Sequence, residues 1–217
     1  MDLVSQDIID SIIEKIDDRV LLKTCTLVSP TFLIPSRKRL FSRIFLKSDQ
    51  TCQRLHQLLV ENPVLQSFVK SIIMDLGDKT LRLNGTSLVA ILRLPFCCLE
   101  SSSIHTRYQS DWEDFGSELK DALSTIIHSP TLKTLQLDDI LNVPTMLFQG
   151  IHLTTLILSN FFPNESNGER SVSPRQTVSE GAVATTASHM VVDRCKWSFS
   201  SALGMRDFLS HICFISY

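Results

Sequence analysis

The residues of this chain best suited to chemistry are six histidines (His56, His105, His128, His152, His189, His211) and six cysteines (Cys25, Cys52, Cys97, Cys98, Cys195, Cys213). Two imidazoles that share a metal on a helix stand four residues apart, and no two histidines here have that spacing. Cys98 with His128 offers a thiolate and a base, but no third group orients the imidazole, so a structural thiol is the expected role. Asp138-Asp139 follows a strand-like run, where parallel α/β enzymes place catalytic carboxylates; a turn between elements is the expected reading. There is no GxGxxG, no P-loop and no GxSxG, and seven glycines leave few loops able to cradle phosphate. The chain is therefore expected not to be an enzyme, with no catalytic, cofactor-binding or metal-ligating residue assigned and no cofactor required.

Charge and cysteine usage narrow the class further. With 21 cations against 23 anions the net charge is −2, so no global field holds a polyanion. The densest basic run, Arg37, Lys38, Arg39 and Arg43, alternates with bulky apolar residues and reads as the solvated face of a helix, not an arm for nucleic acid. The cysteines show no CxxC and no regular spacing, which points to reduced, buried thiols and a cytoplasmic or nuclear location. The acidic opening MDLVSQDIID does not read as a signal peptide, and no run reaches the roughly 18 apolar residues of a membrane span. Neither nucleic acid nor membrane is an expected partner.

The elements that must position any site begin at the amino end. Isoleucines at 8, 9, 12, 13 and 16 form a helical stripe, with Asp10, Ser11, Glu14 and Lys15 opposite. Ser5 is read as its N-cap, Asp18 as the cap of a second helix through Leu27-Val28, and Ser29-Pro30 as the start of a third, restarted or kinked at Pro35. Leu33, Arg37, Leu40, Phe41 and Ile44 are expected on one side of that third helix, which runs into a strand.

From Phe41 one pattern recurs: apolar, two variable residues, apolar, one variable, apolar. Its copies are FSRIFL (41–46), VKSIIM (69–74), LESSSI (99–104), LKTLQL (132–137) and LTTLIL (153–158), starting 28, 30, 33 and 21 residues apart. Ser102 breaks the third copy at an apolar position. Helical periods fill the gaps at 51–60, 86–94 and 115–127, and Pro63, Pro95 and Pro130 follow them as stops.

Val4-Ser-Gln-Asp-Ile-Ile9, Ile12-Ile13, Leu21-Leu22 and Leu27-Val-Ser-Pro-Thr-Phe32, continued by PSRKRLF to residue 41, resemble the F-box motif of fungal F-box proteins. Ser5 stands where that family usually has proline, and Phe32 where it usually has tryptophan. The strand–helix units resemble the irregular leucine-rich repeats that follow the F-box in many substrate receptors. The expected fold class is thus α/β: an N-terminal three-helix F-box-like module, then an irregular, short leucine-rich-repeat-like solenoid with parallel strands. An ordinary parallel α/β domain is the alternative.

The expected boundaries are 1–40 for the helical module, 41–160 for the repeats, 161–187 for a loop or disordered linker, and 188–217 for a C-terminal strand and helix. That last part reads either as a cap or as the remnant of a truncated array. The resemblance implies a substrate receptor of a Skp-cullin-F-box ubiquitin ligase, whose partners are a Skp-type adaptor, the cullin scaffold and an unknown target protein. It implies adaptor contacts from Val4, Ser5, Ile8, Ile9, Ile12, Leu21, Leu22, Val28 and Phe32. Target contacts would come from the concave strand face: Arg43, Phe45, Lys70, Ile73, Glu100, Lys133, Gln136, Thr155 and Ile157. The alternatives are a repeat scaffold without ligase association and a degenerate F-box gene copy.

Overall fold

The computed structural model describes residues 5–159, together with the backbone of 162–164, 185–193 and 212–213. Three helices come first: α1 (Gln6–Glu14), α2 (Arg19–Val28) and α3 (Pro30–Phe41). Their ends follow side-chain chemistry. Asp18 accepts from the amides of Val20 and Leu21 at the start of α2, and Ser29 accepts from Thr31 N with proline at the first helical position of α3. Ser5 occupies the N-cap position of α1 without a side-chain capping bond. Pro35 lies buried inside α3, which runs through it as one continuous helix. The buried side of α3 is Pro35 and Ser36, with Phe32 and Leu40 packed in; Arg37 points to solvent and Ile44 belongs to the next strand. The stripe expected from the sequence is therefore rotated, because the helix must face α1 and α2.

Beyond α3 the chain alternates strand and helix as far as residues 134–144, after which the described elements are strands and one 3-10 turn. The elements are β1 (Arg43–Leu46), α4 (Asp49–Glu61), β2 (Ser71–Asp75), α5 (Lys79–Asn84), α6 (Thr86–Leu92), β3 (Ser101–Asp111), α7 (Ser117–Ile127), β4 (Thr134–Pro144), β5 (His152–Ser159), β6 (Phe162–Asn164), β7 (Thr185–Asp193) and β8 (Ile212–Cys213). Short 3-10 turns at Pro63–Phe68, Trp112–Asp114 and Thr145–Phe148 complete the connections. All the strand pairs are parallel, and the order is β1-β2-β3-β4-β5-β7-β8, with β6 on the extension of β4. A parallel sheet in sequence order has each strand returning to lie beside its predecessor, which is what a strand–helix repeat demands.

The register is that of the recurring sequence pattern. Its fourth positions align as Ile44, Ile72, Ser102, Leu135 and Leu156, and its sixth as Leu46, Met74, Ile104, Leu137 and Leu158. Both rows are buried and merge with Cys52, Leu59, Leu88, Ile91, Leu123 and Ile127 from the helices into one core. Four junctions share one backbone device. The carbonyls of Ser42, Lys70, Glu100 and Lys133 each accept two successive amides from the following strand's entry, at 2.8–3.0 Å. A second, smaller cluster of Ile9, Ile13 and Leu22, edged by Ile16, Cys25, Phe32 and Leu40, holds the three N-terminal helices together. Arg39 ties them further, donating to Asp17 at 2.6 Å and to Ile16 O at 3.3 Å.

Several sequence expectations are corrected. Asp138-Asp139 is no turn: both residues lie inside β4, which carries left-handed conformations at Asp139 (φ 60°) and Asn142 (φ 55°), residue types that tolerate them. β6 and the first residues of β7 fall within the stretch read as a linker, while the remainder of 161–187 lies outside the described residues. Ile212–Cys213 form a strand beside β7, within the tail read as either a helical cap or the remnant of a truncated array, and the rest of that tail beyond β7 lies outside the described residues.

Candidate interaction surfaces

Helices cover one face of the sheet, so strand positions alternating with the core rows face away from them. There the third positions align as Arg43, Ser71, Ser101, Thr134 and Thr155, and the fifth as Phe45, Ile73, Ser103, Gln136 and Ile157. Of the target-binding residues read from the sequence, Arg43, Phe45, Ile73, Gln136, Thr155 and Ile157 stand on this bare face, and Phe45 is 48% exposed. Lys70, Glu100 and Lys133 sit one residue before β2, β3 and β4, exposed along the entry edge, where Lys133 Nζ reaches Glu100 Oε1 at 3.1 Å. Such an exposed pair contributes little to stability.

One row was missed in the sequence. The strand position after the pattern places Asp75, His105, Asp138 and Ser159 side by side. His105 Nδ1 lies 2.5 Å from Asp138 Oδ2, which also accepts from Gln136 Nε2 at 2.9 Å. The hydrogen bond to Asp138 raises the His105 pKa above its ordinary 6.5; burial opposes this, and the charges of Asp138, Asp75 and Asp139 support it. Burial pushes the Asp138 carboxyl up, but hydrogen bonds from His105, Ser159 and Gln136 and the charge of His105 leave it below 3.8. Asp75 is likewise lowered: its desolvation is outweighed by the Gly77 amide and by Arg107, whose guanidinium sits at 3.1 Å. The hydroxyl of Ser159 is bonded to the carboxylate and not to the imidazole, the reverse of the order a serine nucleophile needs. The row was legible in the sequence by reading one residue past each copy of the pattern, once strand alignment is assumed.

On the N-terminal helices the adaptor-binding set divides. Ile9 and Leu22 are corrected: both are core, 4% and 3% exposed, and fill the small cluster. Phe32 is half-buried at its edge, Ser5 is exposed, and Val4 lies outside the described residues. Ile8, Ile12, Leu21 and Val28 are 48–69% exposed, joined by Val20, Leu27 and Ile34, which the sequence reading left out of the set. The helical period identified the apolar positions, but it cannot distinguish a face turned toward α3 from one turned to water.

The cysteines also depart from expectation. Only Cys52 of the four with described side chains is buried; burial and then the charge of Asp49 push its thiol up to about 11. Cys97 and Cys98 are exposed, with sulfurs 3.8 Å apart. The His128 ring nitrogens face the carbonyls of Ser124 and Gln149, so no Cys98–His128 thiolate pair forms. Among the described residues no group of three or more metal-ligating side chains occurs, and no helix is long and apolar enough to cross a membrane. No known family, curated protein or solved structure matches the chain.

Proposed function

We propose that this protein is a substrate-receptor subunit of a Skp-cullin-F-box type ubiquitin ligase. Its N-terminal helices dock on the Skp-type adaptor, and the bare face of its parallel sheet, as one side of a short leucine-rich-repeat-like solenoid, holds a target protein. The observation that carries this reading is apolar surface in excess of what the chain buries. The inside of the helical trio is filled by Ile9, Ile13 and Leu22, yet Ile8, Ile12, Val20, Leu21, Leu27, Val28 and Ile34 remain exposed outside it. A helical cap needs one apolar face; a docking module needs two. The receptor would do no bond chemistry, acting instead by raising the local concentration of target lysines at the charged ligase.

The test is affinity purification of the full chain from cells with neddylation blocked, comparing wild type with Ile8→Asp/Leu21→Asp. Adaptor and cullin are expected with wild type and absent with the double variant, whose thermal unfolding should match wild type because both positions are solvent-facing. Equal capture of adaptor by the two proteins would remove the docking role.

A further inference from the structure

The exposed pair Cys97-Cys98 lies in the turn between α6 and β3, where Cys98 borders a cleft shared with α1 and α3. We propose that it is a dithiol site for monosubstituted trivalent arsenicals, with arsenic bridging the two sulfurs. This assignment does not depend on the ligase reading.

Both thiols are open to solvent, and the turn that carries them is anchored on either side by the buried Phe96 and Leu99. The sulfurs are held 3.8 Å apart. A direct disulfide would require them to close to about 2.05 Å, while one trans peptide keeps the two Cα atoms only about 3.8 Å apart, short of the usual 4.4 Å lower limit. A bridging atom fits better. Two sulfur bonds of roughly 2.3 Å, the length found for zinc, at a tetrahedral angle span about 3.8 Å. Arsenic, with bonds of similar length and a narrower pyramidal angle, asks the sulfurs to close only slightly.

The surroundings select among bridging centres. Cys98 lines a cleft where Lys38, Arg39, Arg43 and Lys70 outnumber the carboxylates of Asp10 and Glu14, which disfavours a divalent cation. The hydrogen bond between the two thiols leads the effects that hold the Cys98 proton more tightly than usual, with desolvation and the charges of Cys97 and Glu100 adding to it and Lys70 partly offsetting it. That disfavours metals and oxidants that need both thiolates. Condensation with an arsenical uses the protonated thiols. For RAs(OH)2, two S–H and two As–O bonds break, two As–S bonds form, and two waters leave; arsenic stays trivalent and no oxidant is consumed. Two thiols satisfy such an arsenical completely, and the product carries no charge. Its organic group has a place to go: Cys97 borders a separate cleft of about 620 Å³ walled by Leu92, Leu94, Pro95, Phe96 and Ile126.

The experiment treats the intact chain with phenylarsine oxide and follows adduct mass and free-thiol count. One phenylarsenic bridge per chain is expected, protecting two thiols, surviving excess 2-mercaptoethanol and released by dimercaptopropanol. Closure of the second bond is intramolecular, so Cys97→Ser and Cys98→Ser should each lose retention by about a hundredfold or more. The triple variant Cys25→Ser/Cys195→Ser/Cys213→Ser should keep it. The proposal is overturned by absence of a bridged adduct, by stripping with the monothiol, by equal retention in either single variant, or by loss in the triple variant. Circular dichroism of the single variants, altered only at exposed side chains, verifies that loss reflects the missing thiol.

Discussion

Ser102 and His105, three residues apart on β3, meet opposite fates because they lie on opposite faces of the sheet. Ser102 takes an apolar core position between Ile72 and Leu135, fully buried, and its hydroxyl has no hydrogen-bond partner. An orphaned buried hydroxyl costs free energy that a methyl does not, so Ser102→Ala should stabilise the chain by about 1 kcal/mol, read from denaturant unfolding. His105 faces outward and forms its ion pair with Asp138. Its folded pKa lies above 6.5, so its contribution is complete below that pH and is lost as pH rises through the folded value. Asp138 lies below 3.8, so its contribution is present above that pH and is lost as pH falls through its folded value. The pair therefore supports the fold most between these limits. His105→Gln should lower the melting temperature near pH 5 and lose that effect above neutrality. A difference independent of pH would show that the ion pair is not its source.

At the scale of elements, the joint between α5 and α6 is set by close backbone approach. A Cβ on Gly85 would stand 2.3 Å from the carbonyl oxygen of Leu81, a backbone atom that cannot swing aside. Gly85→Ala should cost roughly 1–3 kcal/mol by forcing the two helices apart, measured as a lowered denaturation midpoint. The effect should reach the core, because Leu81 and Leu88 on either side of the joint are both fully buried. The same element scale explains why the helical stripes were only partly readable. In α4, Cys52 and Leu59 turn inward as the period requires, while Leu58, next to Leu59 in the chain, is 37% exposed at the margin of that face. Period locates a stripe to within a residue or so; the neighbour's position decides its edges.

For the whole molecule, the division into two hydrophobic clusters matters most. The N-terminal cluster has only Ile9, Ile13 and Leu22 as buried members, edged by Ile16, Cys25, Phe32 and Leu40, and is separate from the extended core under the sheet. So small a core is marginal, and covering its outer apolar residues with a partner would stabilise it by mass action. Ile13→Asp, at a position 1% exposed, should disrupt the three helices while leaving the sheet cooperative. Hydrogen exchange would then show lost protection in α1–α3 and unchanged protection in β2–β4. Simultaneous loss throughout would mean that the two clusters unfold as one unit.

What the sequence determined by itself is the first five strands and their alignment. Five copies of one apolar pattern, the first three each followed by a helical period, leave parallel pairing in chain order as the arrangement that buries every copy. What only tertiary structure decided is which of several chemically equal residues meets water and which polar residues meet each other. Ile8 and Ile9 are neighbours of one type, and packing against α3 buries one and exposes the other. Asp75, His105 and Asp138 come from three distant segments and adjoin only through sheet register. Local periodicity encodes the faces of an element, whereas burial and charge pairing are properties of the space between elements, which no single segment contains.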